Sequence, residues 1–266
     1  AVRLPMGVYD IIVFNRSFND FSNIAFRGNS YETLEAYARK VETRVDKKTR
    51  VETRTIISSP DELAAATLEG FTVTEDMLGN YSQTTYGRTA PSRSSEETPD
   101  GLYHLHFVPK KLTREVSAVL HIEGLNNIRS ATCRLGGVAE SIFLATGKTS
   151  ANTVTQEFTP SNPEFSPGSP FNGTLSCEFE IFGLNVIDNN NLHLDALLVD
   201  GKTEFEGDCT NVKITENDDG TGSVTLILEA STEKVPDVKP EGGAGSGFDV
   251  DVDGWGNEIN TDIPIN

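Results

Sequence analysis

The sequence contains no apolar run of eighteen residues, so no segment has the length and hydropathy of a membrane-crossing helix. Cysteine is sparse. Cys133, Cys177 and Cys209 are odd in number and show no CxxC spacing, which argues against a zinc or redox motif. Cys133 and Cys177 stand among apolar residues, where free buried thiols are expected. GxSxG, HExxH and a glycine loop placed to cradle phosphate are all missing. Gly242–Gly247 follows Pro240 rather than a strand and reads as a flexible tether. Tryptophan occurs once, at Trp255, which reads as a plug at a strand end rather than a sugar platform. Basic residues number 22 against 40 acidic ones, for a net charge of −18. The excess is uneven: residues 1–108 carry 12 basic and 15 acidic side chains, and residues 109–266 carry 10 and 25. Such a surface repels nucleic acid phosphates and anionic lipid, so neither is expected as a partner. The alternation of strands and helices that builds a parallel sheet is also missing.

What is present is a rhythm of two. In Val116–Glu123, Val116, Ala118, Leu120 and Ile122 fall on one face, opposite Ser117, His121 and Glu123. Leu175–Ile181 places Leu175, Cys177, Phe179 and Ile181 against Ser176, Glu178 and Glu180. Leu192–Val199 and Val224–Glu229 repeat the pattern. Period-two alternation predicts strands with one face on a core and one in water. Asn217–Gly220 predicts a hairpin between Val212–Thr215 and Val224–Leu228. Pro160–Pro170, with four prolines, predicts a loop. Earlier in the chain, Val8–Phe14 reads as a buried strand and Phe71–Val73 and Leu102–Val108 as further strands. One or two short helices are expected in this part. Ser30 would cap one over Ser30–Tyr37, and Ser59, Pro60, Asp61 and Glu62 give the other, Pro60–Leu68, a helical start. The whole predicts an all-β chain of two tandem antiparallel sandwiches, residues 1–108 and 109–266, with one or two short helices in the first.

Several residues invite a chemical reading. His104 and His106, two apart on one strand face, have the spacing of a metal pair, but no third ligand is near in sequence, so a solvent-facing pair is expected. His121 and His193 read as surface positions on strands. Glu178/Glu180 and Glu204/Glu206 have the look of a glycosidase carboxylate pair, yet outward-facing acids on alternating strands explain them equally well. Asp249, Asp251, Asp253 and Gly254 imitate the start of a calcium loop, but Asn260 stands where the closing glutamate belongs. Phe248, Val250 and Val252 alternate with those aspartates, as in an edge strand. No cofactor, metal or catalytic residue is therefore expected, and the chain reads as a non-enzyme. An acid-catalysed hydrolase would need two carboxylates facing each other across a cleft.

The order of several short motifs carries a resemblance. Leu4-Pro-Met-Gly-Val-Tyr-Asp-Ile-Ile-Val-Phe-Asn15 matches an LPxGxYxxxxxN strand. Val108–Val116, Ile122–Leu125, Leu135–Ala139, Phe182–Leu184, Leu192–Leu194 and the closing Phe248–Gly256 follow in the same order. Together they resemble the fimbrillin-like anchor and accessory proteins of Bacteroidetes type V pili, over most of the chain. The resemblance implies two transthyretin-like sandwich domains, a lipid-anchored place at the cell surface and outer membrane, and other pilus subunits as partners through strand exchange. A host or bacterial surface ligand is a further expected partner. It also implies a first strand ahead of Leu4 and a lipidated cysteine. Neither stands in this sequence, which opens at Ala1, so a processed chain is expected and membrane contact would come only through that anchor. Ile259, Ile263 and Ile265 lie on one face of the last extended segment and are the candidates for an assembly strand, either donated or terminal to their own domain. The competing expectation is a surface glycan-binding lipoprotein of the same architecture.

Overall fold

The computed structural model describes residues 3–45, 53–78, 96–97, 103–185, 190–218 and 224–240. In the first part of the chain the strands are β1 (Gly7–Phe14), β2 (Ile24–Arg27), β3 (Glu35–Ala38), β4 (Lys40–Val45), β5 (Thr53–Ile57), β6 (Ala64–Val73), β7 (Glu96–Glu97) and β8 (Tyr103–His104). Then follow β9 (Lys110–Lys111), β10 (Arg114–Glu123), β11 (Ile128–Ala139), β12 (Ser141–Phe143), β13 (Thr153–Phe158) and β14 (Asn162–Phe165). The last described are β15 (Asn172–Ile181), β16 (Leu192–Leu198), β17 (Glu204–Asp208), β18 (Thr210–Asp218) and β19 (Val224–Ser231). Among the described residues the only helical elements are single 3-10 turns at Phe18–Asp20, Glu75–Leu78 and Leu125–Asn127. The chain is all-β.

Two large sheets form the main layers. One runs β14-β15-β10-β19-β18, the other β17-β16-β11-β13-β5-β4. The in–out rhythm explains why they stack. Val116, Ala118, Leu120 and Ile122 of β10 are at most 2% exposed, as are Cys133 and Leu135 of β11 and Leu192, Leu194 and Leu198 of β16. Phe158 of β13 and Phe179 of β15 stack with ring centroids 4.3 Å apart, which ties the layers together. Pairing is antiparallel except at β10–β19 and β13–β5, which run parallel. The expected hairpin forms: β18 and β19 pair antiparallel from Asp218↔Val224 inward.

Two smaller sheets, β1-β6-β9 and β12-β3-β2, flank this pair. Strands from both sides of residue 108 share sheets. β3 pairs with β12 through Ala36↔Ile142, and β5 pairs with β13 through Ile56↔Thr155. One contiguous core runs from Phe21, Ile24, Ala36 and Ile57 to Leu228 and Val235. The β3–β12 junction carries its own polar lock. Glu35, only 8% exposed, accepts from Ser141 Oγ at 2.8 Å and pairs with Arg27 on β2. A cluster of Phe14, Phe18, Phe21 and Phe26, with centroids 4.6–6.2 Å apart, fills the space under β1.

Four local expectations are corrected. No helix forms over Ser30–Tyr37: Ser30–Thr33 make a turn closed by a Leu34 N–H to Ser30 C=O bond of 2.9 Å, and Glu35 begins β3. No helix forms over Pro60–Leu68 either. The Leu63 N–H donates to Thr113 Oγ1 at 3.3 Å and residues from Ala64 pair with β1, so tertiary partners override the local capping signal. The expected strand Leu102–Val108 shrinks to Tyr103–His104. Within Pro160–Pro170 lies β14, an edge strand that tolerates Pro163 because it has a neighbour on one side only.

Leu120→Ala should lower stability by about 2–5 kcal/mol, read from urea denaturation, whereas Ser117→Ala on the opposite face should stay within about 0.5 kcal/mol. Gly173→Ala should detach β14: its Cβ would lie 2.2 Å from the Glu164 carbonyl oxygen and 2.7 Å from Leu125 Cδ2. Faster amide exchange confined to Asn162–Phe165 would register the detachment.

Candidate functional site: an unguarded sheet edge

Every open sheet leaves backbone donors and acceptors along its borders, and proteins usually blunt these with charge, proline or shortness. Most borders here are blunted. β14 is four residues long and contains Pro163. β17 presents Glu204, Glu206 and Asp208, all exposed. β18 carries Lys213, Glu216 and Asp218, and β4 opens on the exposed Lys40.

The borders β9, β12 and β2 are only two, three and four residues long, which leaves β1 as the exception. Among the described residues its one partner is β6, so its other edge is bare over eight residues. Its single charge is Asp10, and Val8 is 69% exposed beside Met6 at 59%. The expectation of a buried strand is corrected here: no residue of β1 is fully buried, and Ile12 and Phe14 only lean on the core.

The motif residues of this strand hold it in that position. Tyr9 folds back so that its hydroxyl donates to the Pro5 carbonyl at 2.8 Å, and its ring lies 3.5 Å from where a Cβ on Gly7 would sit. Asp10 Oδ1 accepts the Gly70 N–H at 2.8 Å, where the β1–β6 register shifts between Tyr9 and Ile11. Gly70 takes φ +67 there, a left-handed conformation that glycine adopts without steric cost. Asn15 clamps the strand end: its Oδ1 accepts the Ala64 N–H at 3.1 Å and its Nδ2 donates to the Glu62 carbonyl at 3.1 Å. The motif therefore encodes a strand fastened along one side and left open on the other.

A cleft of about 490 Å³ lies at one end of the main layers. Leu112, Ile142, Phe182 and Leu184 give it an apolar floor. The charges at its rim are already paired, Lys111 with Glu180 at 2.7 Å and Arg114 with Glu216 at 2.8 Å. Burial pulls the Lys111 ammonium down, but the bond to Glu180 and the attraction of Glu180, Glu62 and Glu115 together outweigh it, and the net shift is upward, so the pair stays charged. A hydrolase would instead need carboxylates converging across this space.

The other sequence candidates disperse. His104, His106 and His121 are exposed, as expected, and His193 is half-buried on β16. Glu178 is exposed, while Glu180 is engaged with Lys111. Glu206 meets His193 and Asp195 across the β16–β17 ladder, a convergence that their separation in sequence conceals. The Asp249–Gly254 stretch, Trp255, the Gly242–Gly247 tether and Ile259, Ile263 and Ile265 lie outside the described residues.

All three cysteines are free. Burial pushes the Cys177 and Cys209 thiols up to about 11, and Cys133 is raised as well, again chiefly by burial. They are thiols at neutral pH rather than nucleophilic thiolates. Iodoacetamide at pH 8 should therefore label the native chain roughly a hundredfold more slowly than the urea-unfolded chain. Asn15→Ala should cost about 1–2 kcal/mol and speed amide exchange in β1 while leaving β10 protected.

Among curated proteins none matches the sequence. Two solved structures are similar, both candidate adhesins. One is from Bacteroides ovatus, with 16% identity and TM-score 0.48 over 77% of this chain and 66% of that one. The other is from Bacteroides thetaiotaomicron, with 13% identity and TM-score 0.38 over 78% and 61%. The chain thus spans less than two thirds of the length of each. A family model described as a domain of unknown function, DUF5119, matches residues 1–159, which include β1 with its motif and every strand it touches, and the chain belongs to that family.

Proposed function

We propose that the protein is a non-catalytic anchor or accessory subunit of a cell-surface fibre of the type V pilus kind, and that β1 accepts an extended segment from another subunit. The observation that carries this reading is the bare edge of β1, whose single charge is Asp10, fastened by Tyr9, Asp10 and Asn15 yet left without a second neighbour among the described residues. An added strand gains backbone hydrogen bonds along such an edge, and its alternate side chains choose the partner. The motif order along the chain supports the same reading. Ile259, Ile263 and Ile265 are the proposed contacts of the segment that this subunit contributes in turn. A lipid anchor at the outer membrane and adhesion to a surface ligand belong to the same proposal.

A second reading, a glycan-binding surface lipoprotein, draws on Phe165 and Phe171, 49% and 60% exposed on either side of the Ser166–Pro170 turn. A glycan array decides between them: reproducible binding lost in the Phe165→Ala/Phe171→Ala double variant would favour this second reading.

Proteomics of purified fimbriae from the source cells should recover this chain at a fixed ratio to the shaft subunit. Val8→Lys places a charge on the exposed edge and should leave thermal stability nearly unchanged while reducing that ratio several-fold. Deleting Ile259–Asn266 should also reduce it. A fimbrial fraction unaltered by both changes would reject strand-mediated assembly.

A further inference from the structure

The outer face of the six-stranded sheet holds a group of side chains that strand assembly does not use. His193 and Asp195 project two apart from β16. On β17, Asp208 stands opposite His193 and Glu206 opposite Asp195. One ligand atom each from His193, Asp195 and Glu206 lies within 4.8 Å of the other two.

Asp208 Oδ1 lies 2.8 Å from His193 Nδ1, and Asp195 Oδ1 lies 3.1 Å from Nε2. A carboxylate only accepts, so in the tautomer that carries its proton on Nδ1 the ring donates to Asp208 and aims the Nε2 lone pair at Asp195 and Glu206. Asp195 and Glu206 also stand directly opposite each other on neighbouring strands, a conflict because like charges there are destabilising. The nearby cation does not resolve it. Arg134 on β11 is bound to Asp195 Oδ2 and, at 3.0 Å, to Glu157 on β13. Glu206 has no hydrogen bond or ion pair among the described residues, and Glu204 on the same face adds further negative charge.

We propose that His193 Nε2, Asp195 Oδ1 and the Glu206 carboxylate form a three-ligand site for a divalent transition ion of borderline softness, of which Zn²⁺ is the type. A nitrogen and two oxygens suit that class, whereas calcium takes six to eight oxygens. Asp208 is a positioning residue. By holding Nδ1–H it fixes the ring and aims Nε2, the carboxylate–histidine–metal arrangement seen behind many metal ligands. Arg134 orients Asp195 through its other oxygen and leaves Oδ1 free for the ion. Two ligands come from adjacent outward positions of one strand and the third from its hydrogen-bonded neighbour, so the ladder fixes the backbone. The exposed Glu206 side chain supplies the adjustment needed to reach bonding distance.

The test uses the full chain, stripped with EDTA, in a His104→Ala/His106→Ala background so that those exposed imidazoles do not contribute. Calorimetric titration with ZnCl₂ should give one zinc per chain. His193→Ala and Glu206→Gln should each weaken it tenfold or more, and Asp208→Asn should weaken it less. CaCl₂ in hundredfold excess should not displace the zinc. Cobalt(II) should give ligand-field absorption that His193→Ala abolishes. Glu206 is exposed, so its variant keeps the fold and serves as the safeguard should His193→Ala unfold. No saturable zinc binding, zinc binding indifferent to both His193→Ala and Glu206→Gln, or displacement by calcium would overturn the proposal, leaving a diffuse acidic face.

Discussion

A sheet satisfies its backbone only through neighbours, and each open sheet must therefore stop somewhere. That constraint organises this molecule. The interior is settled by burial: β10 has a partner on each side and sends four nearly inaccessible side chains inward. The borders are settled otherwise, by charge on β17, β18 and β4, by proline on β14, and on β1 by nothing comparable. A bare border next to a bonded one is what turns a structural strand into a surface that another chain can join.

The sequence speaks clearly wherever the relevant physics is local. Alternation in Val116–Glu123, Leu175–Ile181 and Leu192–Val199 is a direct print of the pleat, and those segments are strands with the expected faces buried. The Asn217–Gly220 signal likewise lies between strands that pair. Local logic misleads at Pro60–Leu68. Its capping residues suit a helix, but the Leu63 N–H finds Thr113 and the residues after it find β1, fifty or more positions away in each case. Nothing short-range announces that β5 lies parallel to β13, or that β3 completes a sheet with β12.

The candidate surface was half legible for the same reason. The LPxGxYxxxxxN pattern marks Tyr9 and Asn15, but only the fold reveals that they fasten a strand whose far side is unoccupied. In sequence His193 reads as a surface position and Glu206 as half of an outward pair with Glu204. The β16–β17 register brings them together, and register is set by turn geometry and by the pairing itself. Conversely, the acid pairs that look suggestive in sequence separate into an exposed Glu178 and a Glu180 taken up by Lys111.

The parallel contact between β5 and β13 also sets a timetable. Ile56 and Thr155 lie about a hundred residues apart, and a chain that emerges amino-terminus first presents Ile56 and Ile57 long before β13 exists to receive them. At ordinary rates of synthesis the wait is roughly 5–20 seconds, during which two isoleucines that the finished protein buries face solvent or a chaperone. Final closure of the six-stranded layer is therefore a late event, and the half-emerged chain, rather than the mature one, is the form most exposed to misassociation.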